Sequence, residues 1–158
     1  MKKLQKLQNK ILRKFIIVNP ASANGRTKKR WESMKEVLNK KIGPFDFQYT
    51  TGPNSATALS NQAINDDYNV IISMGGDGTN NEIINGFFNK NVLIKEDLYF
   101  GVIPSGTGGD FSKTLSEIYG ETSSINGLIN NTFDQIDTGL VKYFNHSGKE
   151  DFRIFINI

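Results

Sequence analysis

Two glycine-rich turns constrain this chain most, because each directly follows an apolar stretch that is typical of a buried strand. The first turn is Gly-Gly-Asp-Gly-Thr at 75–79, after Val-Ile-Ile-Ser-Met at 70–74. The second is Pro-Ser-Gly-Thr-Gly-Gly-Asp at 104–110, after Phe-Gly-Val-Ile at 100–103. Glycines let backbone N–H groups approach an anion, and the helix after such a turn directs its positive end to the same place. Two such turns, each with a carboxylate able to hold a cation, indicate a pocket for a polyphosphate and Mg²⁺.

The composition is that of a folded protein with one domain, or with one domain and a fragment of another. The chain has 158 residues, of which 37% are apolar and 22% are charged, and this balance excludes a disordered or low-complexity chain. It has no cysteine and a single histidine, His146, so disulfides and thiolate metal sites are excluded and a zinc cluster is not expected. No apolar run approaches the ~20 residues of a membrane-spanning helix.

Basic residues are concentrated at the N-terminus. Six Lys and Arg residues and no acid precede Phe15, whereas the rest of the chain carries 13 basic and 16 acidic residues. Leu4, Leu7, Ile11 and Phe15 recur at helical spacing, and a basic amphipathic segment can lie on an anionic membrane surface. The alternative is a solvated N-terminal extension. The segment has no continuous apolar centre, which argues against a secretory signal peptide.

Strand-like and helix-like patterns alternate over most of the chain. Trp31, Met34 and Leu38, for example, mark one face of the first predicted helix. Such alternation indicates right-handed crossovers and a mainly parallel sheet with helices on both faces, which is an α/β fold with three-layer α/β/α architecture. The predicted strands are 15–19, 45–50, 70–74 and 100–103, and the predicted helices are 27–41, a second one capped by Asn54 or Ser55, and 80–88.

Three turns are expected to meet at one edge of this sheet. Asn19, Gly75 and Pro104 each lie just after a predicted strand. In parallel sheets the carboxyl ends of neighbouring strands share an edge, and ligands bind just beyond it. The expectation rests on topology and does not depend on any family.

The alternation stops after residue 130. Residues 133–143 and 152–158 have strand-like patterns and are joined by a polar turn at 145–149, which predicts an antiparallel hairpin. We interpret this hairpin as the start of a truncated all-β domain. The predicted division is a basic N-terminal extension at 1–14, an α/β domain that carries the glycine turns at 15–131, and the first strands of an incomplete domain at 132–158.

Four motifs, taken in order, give the chain a resemblance to a known family. They are Asn-Pro-Ala-Ser-Ala at 19–23, Gly-Gly-Asp-Gly-Thr-Asn-Asn-Glu at 75–82 followed by Asn85 and Gly86, Ile-Pro-Ser-Gly-Thr-Gly-Gly-Asp-Phe at 103–111, and Ile-Asp-Thr-Gly at 136–139. In this order they resemble the diacylglycerol kinase catalytic family of lipid kinases, which includes bacterial diacylglycerol kinase-like, sphingosine and ceramide kinases. NAD kinases and phosphofructokinases are similar at the Gly-Gly-Asp-Gly-Thr turn.

The resemblance implies an ATP-dependent lipid kinase that uses Mg²⁺ and transfers the γ-phosphate of ATP to a lipid hydroxyl. Family members are considerably longer than this chain, and a β-sandwich domain carries their lipid pocket and the carboxylate expected to act as general base. We therefore expect this chain to be the nucleotide-binding part of such an enzyme, with a fold like that of NAD and diacylglycerol kinases, and to be inactive alone. Two alternatives stay open: a non-catalytic nucleotide-binding fragment, and a small-molecule kinase of the NAD-kinase type.

The resemblance also implies site residues, several of which have a plainer structural interpretation. Asp77 is the candidate catalytic residue, and the general base is expected beyond Ile158. Asp77, Asp110 and Asp137 are the candidate Mg²⁺ ligands, directly or through water, although the first two could instead cap helices and the third could be a surface strand acid. The predicted nucleotide contacts are Asn19, Pro20, Ser22, Thr50, Gly75, Gly76, Asp77, Gly78, Thr79, Asn81, Glu82, Gly106 and Thr107.

The implied partner is a lipid substrate at a membrane surface. The protein is expected to be cytoplasmic, and peripheral contact with the inner face of the membrane stays open. Aromatic residues do not interleave with basic ones as they do in nucleic-acid sites, so no nucleic-acid partner is expected. The edge of the hairpin predicts self-association, for example as a homodimer, unless the hairpin folds back on the α/β domain.

Overall fold

The computed structural model describes residues 5–6, 11–105 and 123–156. In this part of the chain, strands alternate with helices and are followed by an antiparallel hairpin. The strands are β1 (Gln5–Lys6), β2 (Lys14–Val18), β3 (Phe45–Tyr49), β4 (Val70–Met74), β5 (Phe88–Asn89), β6 (Val92–Leu93), β7 (Tyr99–Val102), β8 (Thr132–Phe133), β9 (Gly139–Phe144) and β10 (Glu150–Phe155). The helices are α1 (Arg26–Ile42), α2 (Ser55–Asn65), α3 (Asp77–Asn85) and α4 (Ser123–Asn130).

A four-stranded parallel sheet with the order β3-β2-β4-β7 forms the centre of the structure. Its middle strands, β2 and β4, are buried along their whole length, as their β-branched residues favour. On one face, Trp31 of α1 packs in a cluster with Ile16. On the other, Ala63 of α2 and Ile84 of α3 pack in a cluster with Ile17. The predicted α/β fold, with a mainly parallel sheet and helices on both faces, is confirmed.

The predicted strands and the first helix lie within one residue of β2, β3, β4, β7 and α1. Helix α1 ends at Ile42, and the next residue, Gly43, has a positive φ of 81° and donates its N–H to Asn39 O at 3.0 Å. That backbone conformation favours glycine and closes the helix. The continuous apolar runs and the glycine stop were therefore sufficient signals for these elements.

Helix α3 begins earlier than the sequence predicted. It starts at Asp77 rather than near residue 80. The reason is that Asn80 N–H donates to Gly76 O at 3.0 Å and so closes a helical turn inside the glycine-rich segment. The glycine turn is thus partly the first turn of the helix, and Asp77 belongs to both.

The start of helix α2 also differs from the prediction. Neither Asn54 nor Ser55 caps the helix with its side chain. The Ser55 hydroxyl donates instead to Gly52 O in the preceding turn, at 2.6 Å. The N–H of Ala56 donates to the carboxylate of Glu82 on α3 at 3.2 Å. A side chain from another helix therefore takes the place of the predicted local cap.

The hairpin is formed by β9 and β10, which pair in antiparallel register. Its turn is held by Asn145 Oδ1, which accepts hydrogen bonds from the N–H groups of Ser147 and Lys149 at 3.0 and 3.1 Å. Gly148 supplies the positive φ that the turn needs. His146 is exposed in this turn. The predicted antiparallel hairpin is confirmed.

Two strand and helix predictions near the ends of the described chain are wrong. The predicted strand at 133–143 is interrupted, because β8 pairs with β1 and residues 134–138 have no regular structure. The helical spacing of apolar residues in the N-terminal segment does not describe residues 5–6, which are the strand β1. Pairing with β8 offers these residues backbone hydrogen bonds that the helical pattern did not take into account.

The hairpin folds back on the α/β domain. Ile154 and Ile156 are buried in the same apolar cluster as residues of α2 and α3. This folding back is the exception that was stated with the prediction of self-association. The homodimer and the division at 14/15 and 131/132 stay predictions. Among the described helices, none combines the length and the apolar character needed to cross a membrane.

Candidate functional site

Three turns meet at the carboxyl edge of the central sheet. Because β2, β4 and β7 are parallel, the residues that follow them lie at one edge. The N–H of Asn19, just after β2, donates to Met74 O at the end of β4 at 2.9 Å. The N–H of Ile103, just after β7, donates to Ser73 O at 2.8 Å. The backbone itself therefore brings the predicted turns together.

Side-chain hydrogen bonds fasten these turns to one another. Asn19 Nδ2 donates to Thr79 Oγ1 at 2.9 Å and so joins the turn after β2 to α3. The Ser105 hydroxyl donates to Gly75 O at 3.0 Å and lies 3.4 Å from the hydroxyl of Ser22. All three turns contribute to this cluster. We call these residues, Asn19, Ser22, Gly75, Thr79 and Ser105, the rim cluster.

The polar side chains of the turn after β2 are held in fixed positions. Asn19 Oδ1 accepts a hydrogen bond from Ala21 N–H at 3.0 Å, while its Nδ2 reaches Thr79. The Ser22 hydroxyl donates to Asn19 O at 2.9 Å and lies 2.6 Å from the hydroxyl of Thr27, which is buried at the start of α1. Asn19 and Ser22, both predicted nucleotide contacts, are therefore preorganised at the edge of the sheet.

The glycine turn has one crowded position and two open ones. A Cβ atom at Gly75 would lie 2.6 Å from Thr79 Oγ1, so glycine lets Thr79 come close enough to meet Asn19. A Cβ atom at Gly76 or Gly78 would meet no heavy atom within 4 Å. Helix α3 has no side-chain cap, and the first N–H groups of a helix have no partner within it. The start of α3 thus has the form of an anion-binding site.

The predicted acids are not shown to be together. Asp77 is the first residue of α3 and is half-buried, where its charge is favourable to the helix dipole. Asp137 is exposed and lies outside any strand, and Asp110 lies outside the described residues. Within the described ranges, no group of three or more His, Cys, Asp or Glu side chains could hold a metal ion. The three-acid Mg²⁺ site therefore stays a prediction.

Two predicted nucleotide contacts of α3 bind other parts of the protein. Asn81 Oδ1 accepts a hydrogen bond from Ile156 N–H at 3.3 Å. Glu82 Oε2 accepts the hydrogen bond from Ala56 N–H at the start of α2. These bonds show what the two side chains do in the fold, and their contacts with a nucleotide stay predictions.

Four further predicted contacts lie beside the rim cluster or outside the described chain. The N–H of Thr50 donates to Val18 O at 2.9 Å, which extends the pairing of β2 and β3 by one residue and places Thr50 at the carboxyl edge. Pro20 is half-buried in the turn after β2. Gly106 and Thr107 lie outside the described residues.

A charged cluster connects β3 to α1 next to this edge. The Tyr49 hydroxyl donates to the carboxylate of Glu32, and Lys35 Nζ lies 2.6 Å from the same carboxylate. Partial burial and the bond to Glu32 raise the pKa of Tyr49 to about 12. The hydrogen bond from Lys35, followed by that from Tyr49, lowers the pKa of Glu32. The cluster fixes the end of β3 immediately before Thr50.

Ser105 and Asn85 lie within the motifs quoted from the sequence, but neither was predicted as a site residue. Ser105 connects two of the turns, and its position directly after an apolar strand and Pro104 was a signal that could have identified it. The amide of Asn85 bonds to both the C=O and the N–H of Ile154, at 2.7 and 3.0 Å. Its partner lies 69 residues away, and no local pattern reveals that contact.

The chain matches a known protein family over most of its length. The family model "Diacylglycerol kinase catalytic domain" matches residues 13–141. The chain belongs to the diacylglycerol kinase catalytic domain family. It is 30% identical over 143 residues to a diacylglycerol kinase of Staphylococcus aureus strain MRSA252, and 32% identical over 146 residues to one of Staphylococcus saprophyticus. Both alignments cover 90% of this chain, but 41% and 43% of those relatives.

The fold of this diacylglycerol kinase-family chain is similar to that of solved structures. A crystal structure of a diacylglycerol kinase from Bacillus anthracis str. Sterne matches with a TM-score of 0.64 at 21% identity. The match covers 90% of this chain and 49% of that one, and at this identity it shows the fold. The chain therefore spans less than half the length of each of these three relatives.

Proposed function

We propose that this chain binds MgATP at the rim cluster and forms the nucleotide-binding part of a kinase that transfers the γ-phosphate of ATP to a lipid hydroxyl, with diacylglycerol as the first candidate. The observation that carries the proposal is the open, uncapped start of α3 within the Gly-Gly-Asp-Gly-Thr turn. In a chain of this family, such a turn is best explained as the phosphate site. The choice of lipid follows from the names of relatives and not from a pocket in the described residues.

The turn provides two kinds of phosphate donor. Backbone N–H groups at the start of α3 would face the phosphates, and the open space at Gly76 and Gly78 would let them approach closely. The Thr79 hydroxyl accepts a hydrogen bond from Asn19, so its own proton is oriented away from Asn19 and can be donated to a phosphate oxygen. Asn19 would then act by holding Thr79 in place.

Phosphoryl transfer depends mainly on in-line positioning and on neutralising the charge of the phosphates. Mg²⁺ bound together with ATP would supply much of that neutralisation. Asp77 provides a hard carboxylate oxygen at the start of α3, which is a ligand type that Mg²⁺ prefers. The chemistry of this residue fits the cation, directly or through water, and Asp110 and Asp137 complete the set that we predict. A cation that keeps phosphate and water ligands does not need a full protein cage.

Titration calorimetry with MgATP tests the nucleotide part of this proposal. We expect saturable binding to the folded chain, and weaker binding to Gly78→Ala, because the added methyl group would occupy the open space where a phosphate would lie. Gly52→Ala is the matched control, since a Cβ atom there also meets nothing within 4 Å but the turn precedes α2. Absence of heat at millimolar nucleotide from a protein shown to be folded would refute nucleotide binding.

Radiolabelled ATP tests the acceptor. Transfer to diacylglycerol in detergent micelles is compared with transfer to NAD, in the longer proteins of this family and in this chain. Transfer by the chain to NAD rather than to the lipid would favour the small-molecule kinase alternative. MgATP binding without transfer to either acceptor would indicate that these residues bind the nucleotide but do not catalyse transfer by themselves.

A further inference from the structure

Two asparagine side chains attach the hairpin to α3. Asn85 Nδ2 donates to Ile154 O at 2.7 Å, and Ile154 N–H donates to Asn85 Oδ1 at 3.0 Å. One helical turn earlier, Asn81 Oδ1 accepts from Ile156 N–H at 3.3 Å. Residues i and i+4 share one face of a helix, and alternate residues of an extended chain share one side. The two amides therefore bind the extended chain as a neighbouring strand would, and we call them the amide clamp.

The orientation of the Asn85 amide is fixed by its bonds. Its Nδ2 group donates to Asn81 O and Ile154 O, both at 2.7 Å, so its two hydrogens have acceptors and its oxygen has the Ile154 N–H. The side chains of Ile154 and Ile156 are only 6% and 2% exposed. The clamp thus lies beside apolar contacts that hold the hairpin against the helix.

The other end of the same helix lies in the glycine turn at 75–79, which is the proposed phosphate site. Helix α3 has nine residues from Asp77 to Asn85, so only two or three turns separate the rim cluster from the clamp. Thr79 of the first turn is bonded to Asn19, and Asn81 of the clamp follows two residues later. A change in the position or rigidity of α3 at one end therefore affects the other.

We propose that Asn81 and Asn85 are positioning residues which couple nucleotide occupancy of the glycine turn to docking of the hairpin. This inference rests on the proposed function, because it requires a phosphate at the start of α3. A nucleotide that orders α3 would strengthen the docking of β10, and docked β10 would in turn raise nucleotide affinity by the same factor. The hairpin is then a part of the nucleotide site that touches no nucleotide.

Hydrogen exchange of single amides, measured by NMR with and without MgATP, tests the coupling. Asn85→Asp keeps the shape and the acceptor oxygen of the side chain but removes its donor. The variant loses the bonds from Nδ2 to Asn81 O and to Ile154 O, and only the second of these joins the helix to the hairpin. Without nucleotide, we expect the Ile154 amide to exchange about fivefold faster in this variant, as the loss of that one bond between helix and hairpin predicts. In the wild-type chain, MgATP should slow exchange at Ile154 by about fivefold, and in Asn85→Asp this protection should be lost.

Asn65→Asp is the matched control. Asn65 ends α2 as Asn85 ends α3, so both variants place a negative charge at a helix C-terminus. Its side chain donates to Asn61 Oδ1 at 3.1 Å and, within the described residues, makes no hydrogen bond to the hairpin, so nucleotide protection at Ile154 should be retained. The Ile72 amide in the central strand β4 reports whether a variant remains folded.

A second variant keeps the test valid if Asn85→Asp unfolds. Asn81→Ala removes the acceptor for Ile156 N–H, and alanine favours the helix, so faster exchange at Ile156 with unchanged exchange at Ile72 is expected. MgATP protection of the hairpin that is equal in the wild-type chain and in both clamp variants would overturn the coupling, and so would bound nucleotide without protection. If the wild-type chain binds no nucleotide, the proposed function and the coupling both fail. The nucleotide-free comparison at Ile154 then still reports separately whether the clamp holds the hairpin.

Discussion

Replacing Gly75 with Ala should destabilise the protein strongly, because the new methyl group has no space. Its Cβ atom would lie 2.6 Å from Cβ and Oγ1 of Thr79 and 2.8 Å from its Cγ2. Thr79 cannot turn away freely, since it is 6% exposed and accepts the hydrogen bond from Asn19. Overpacking costs about 1–3 kcal/mol, and a lost hydrogen bond costs about 0.5–1.5 kcal/mol. We therefore expect the free energy of unfolding to fall by about 1.5–4.5 kcal/mol.

Urea denaturation followed by circular dichroism measures this change. Gly78→Ala is the control, because its Cβ atom would lie in open space inside the first turn of α3. Alanine favours a helix over glycine by up to ~1 kcal/mol, so the control should be as stable as the wild-type chain or more so. A wild-type midpoint for Gly75→Ala at unchanged m-value, or an equal loss in both variants, would show that the close approach of Thr79 does not constrain the turn.

Three other substitutions test separate parts of the structure. Asp77→Ala should change the free energy of unfolding by no more than about 1 kcal/mol relative to the wild-type chain. It should weaken MgATP binding in calorimetry by about tenfold, which corresponds to 1.4 kcal/mol. Unchanged affinity would remove Asp77 from the site. Gly86→Ala places a Cβ atom 2.6 Å from Thr57 O, so it should separate α2 from α3 and cost about 1–3 kcal/mol in urea denaturation, whereas a neutral effect would contradict the close packing of these helices. The pKa of Tyr49 is raised from 10.0 to about 12 in the fold, where its hydroxyl donates to Glu32, so the stability that it contributes is complete below pH 10 and is lost as the pH rises towards 12. Urea midpoints between pH 10 and 12 should therefore fall more steeply for the wild-type chain than for Tyr49→Phe, and parallel curves would speak against the Tyr49–Glu32 bond.

Local chemistry made most of the fold predictable. The run from Phe15 to Val18 has no polar residue, which only a strand buried on both faces explains easily, and Gly43 marks the end of α1. The position of the turns followed from topology, because parallel strands place their carboxyl ends at one edge. The hydrogen bond between Asn19 and Thr79 joins two of these turns, as the shared edge led us to expect.

Long-range contacts were not predictable, because their partners leave no local pattern. Glu82 accepts a hydrogen bond from Ala56 N–H at the start of α2, a bond that was not predicted. Nothing near Asn54 or Ser55 indicates that another helix would supply the cap. The same holds for Asn85, whose amide binds a backbone segment far away in the sequence. Composition told us that these amides and carboxylates were present, but only the packed structure decides which groups they meet.

Helix α3 owes its helical form to the rest of the protein. Its sequence is Asp-Gly-Thr-Asn-Asn-Glu-Ile-Ile-Asn, and Gly, Thr, Asn and Asp have low intrinsic helix propensities. Isolated helices shorter than about 12–15 residues are marginal in water even when they are rich in alanine. A synthetic peptide of this turn and helix would therefore be largely unstructured, and grafting the motif onto another scaffold would not transfer its binding geometry. During synthesis the bonds between Asn85 and Ile154 cannot form until Ile154 has left the ribosome, so the packing around α3 is completed late.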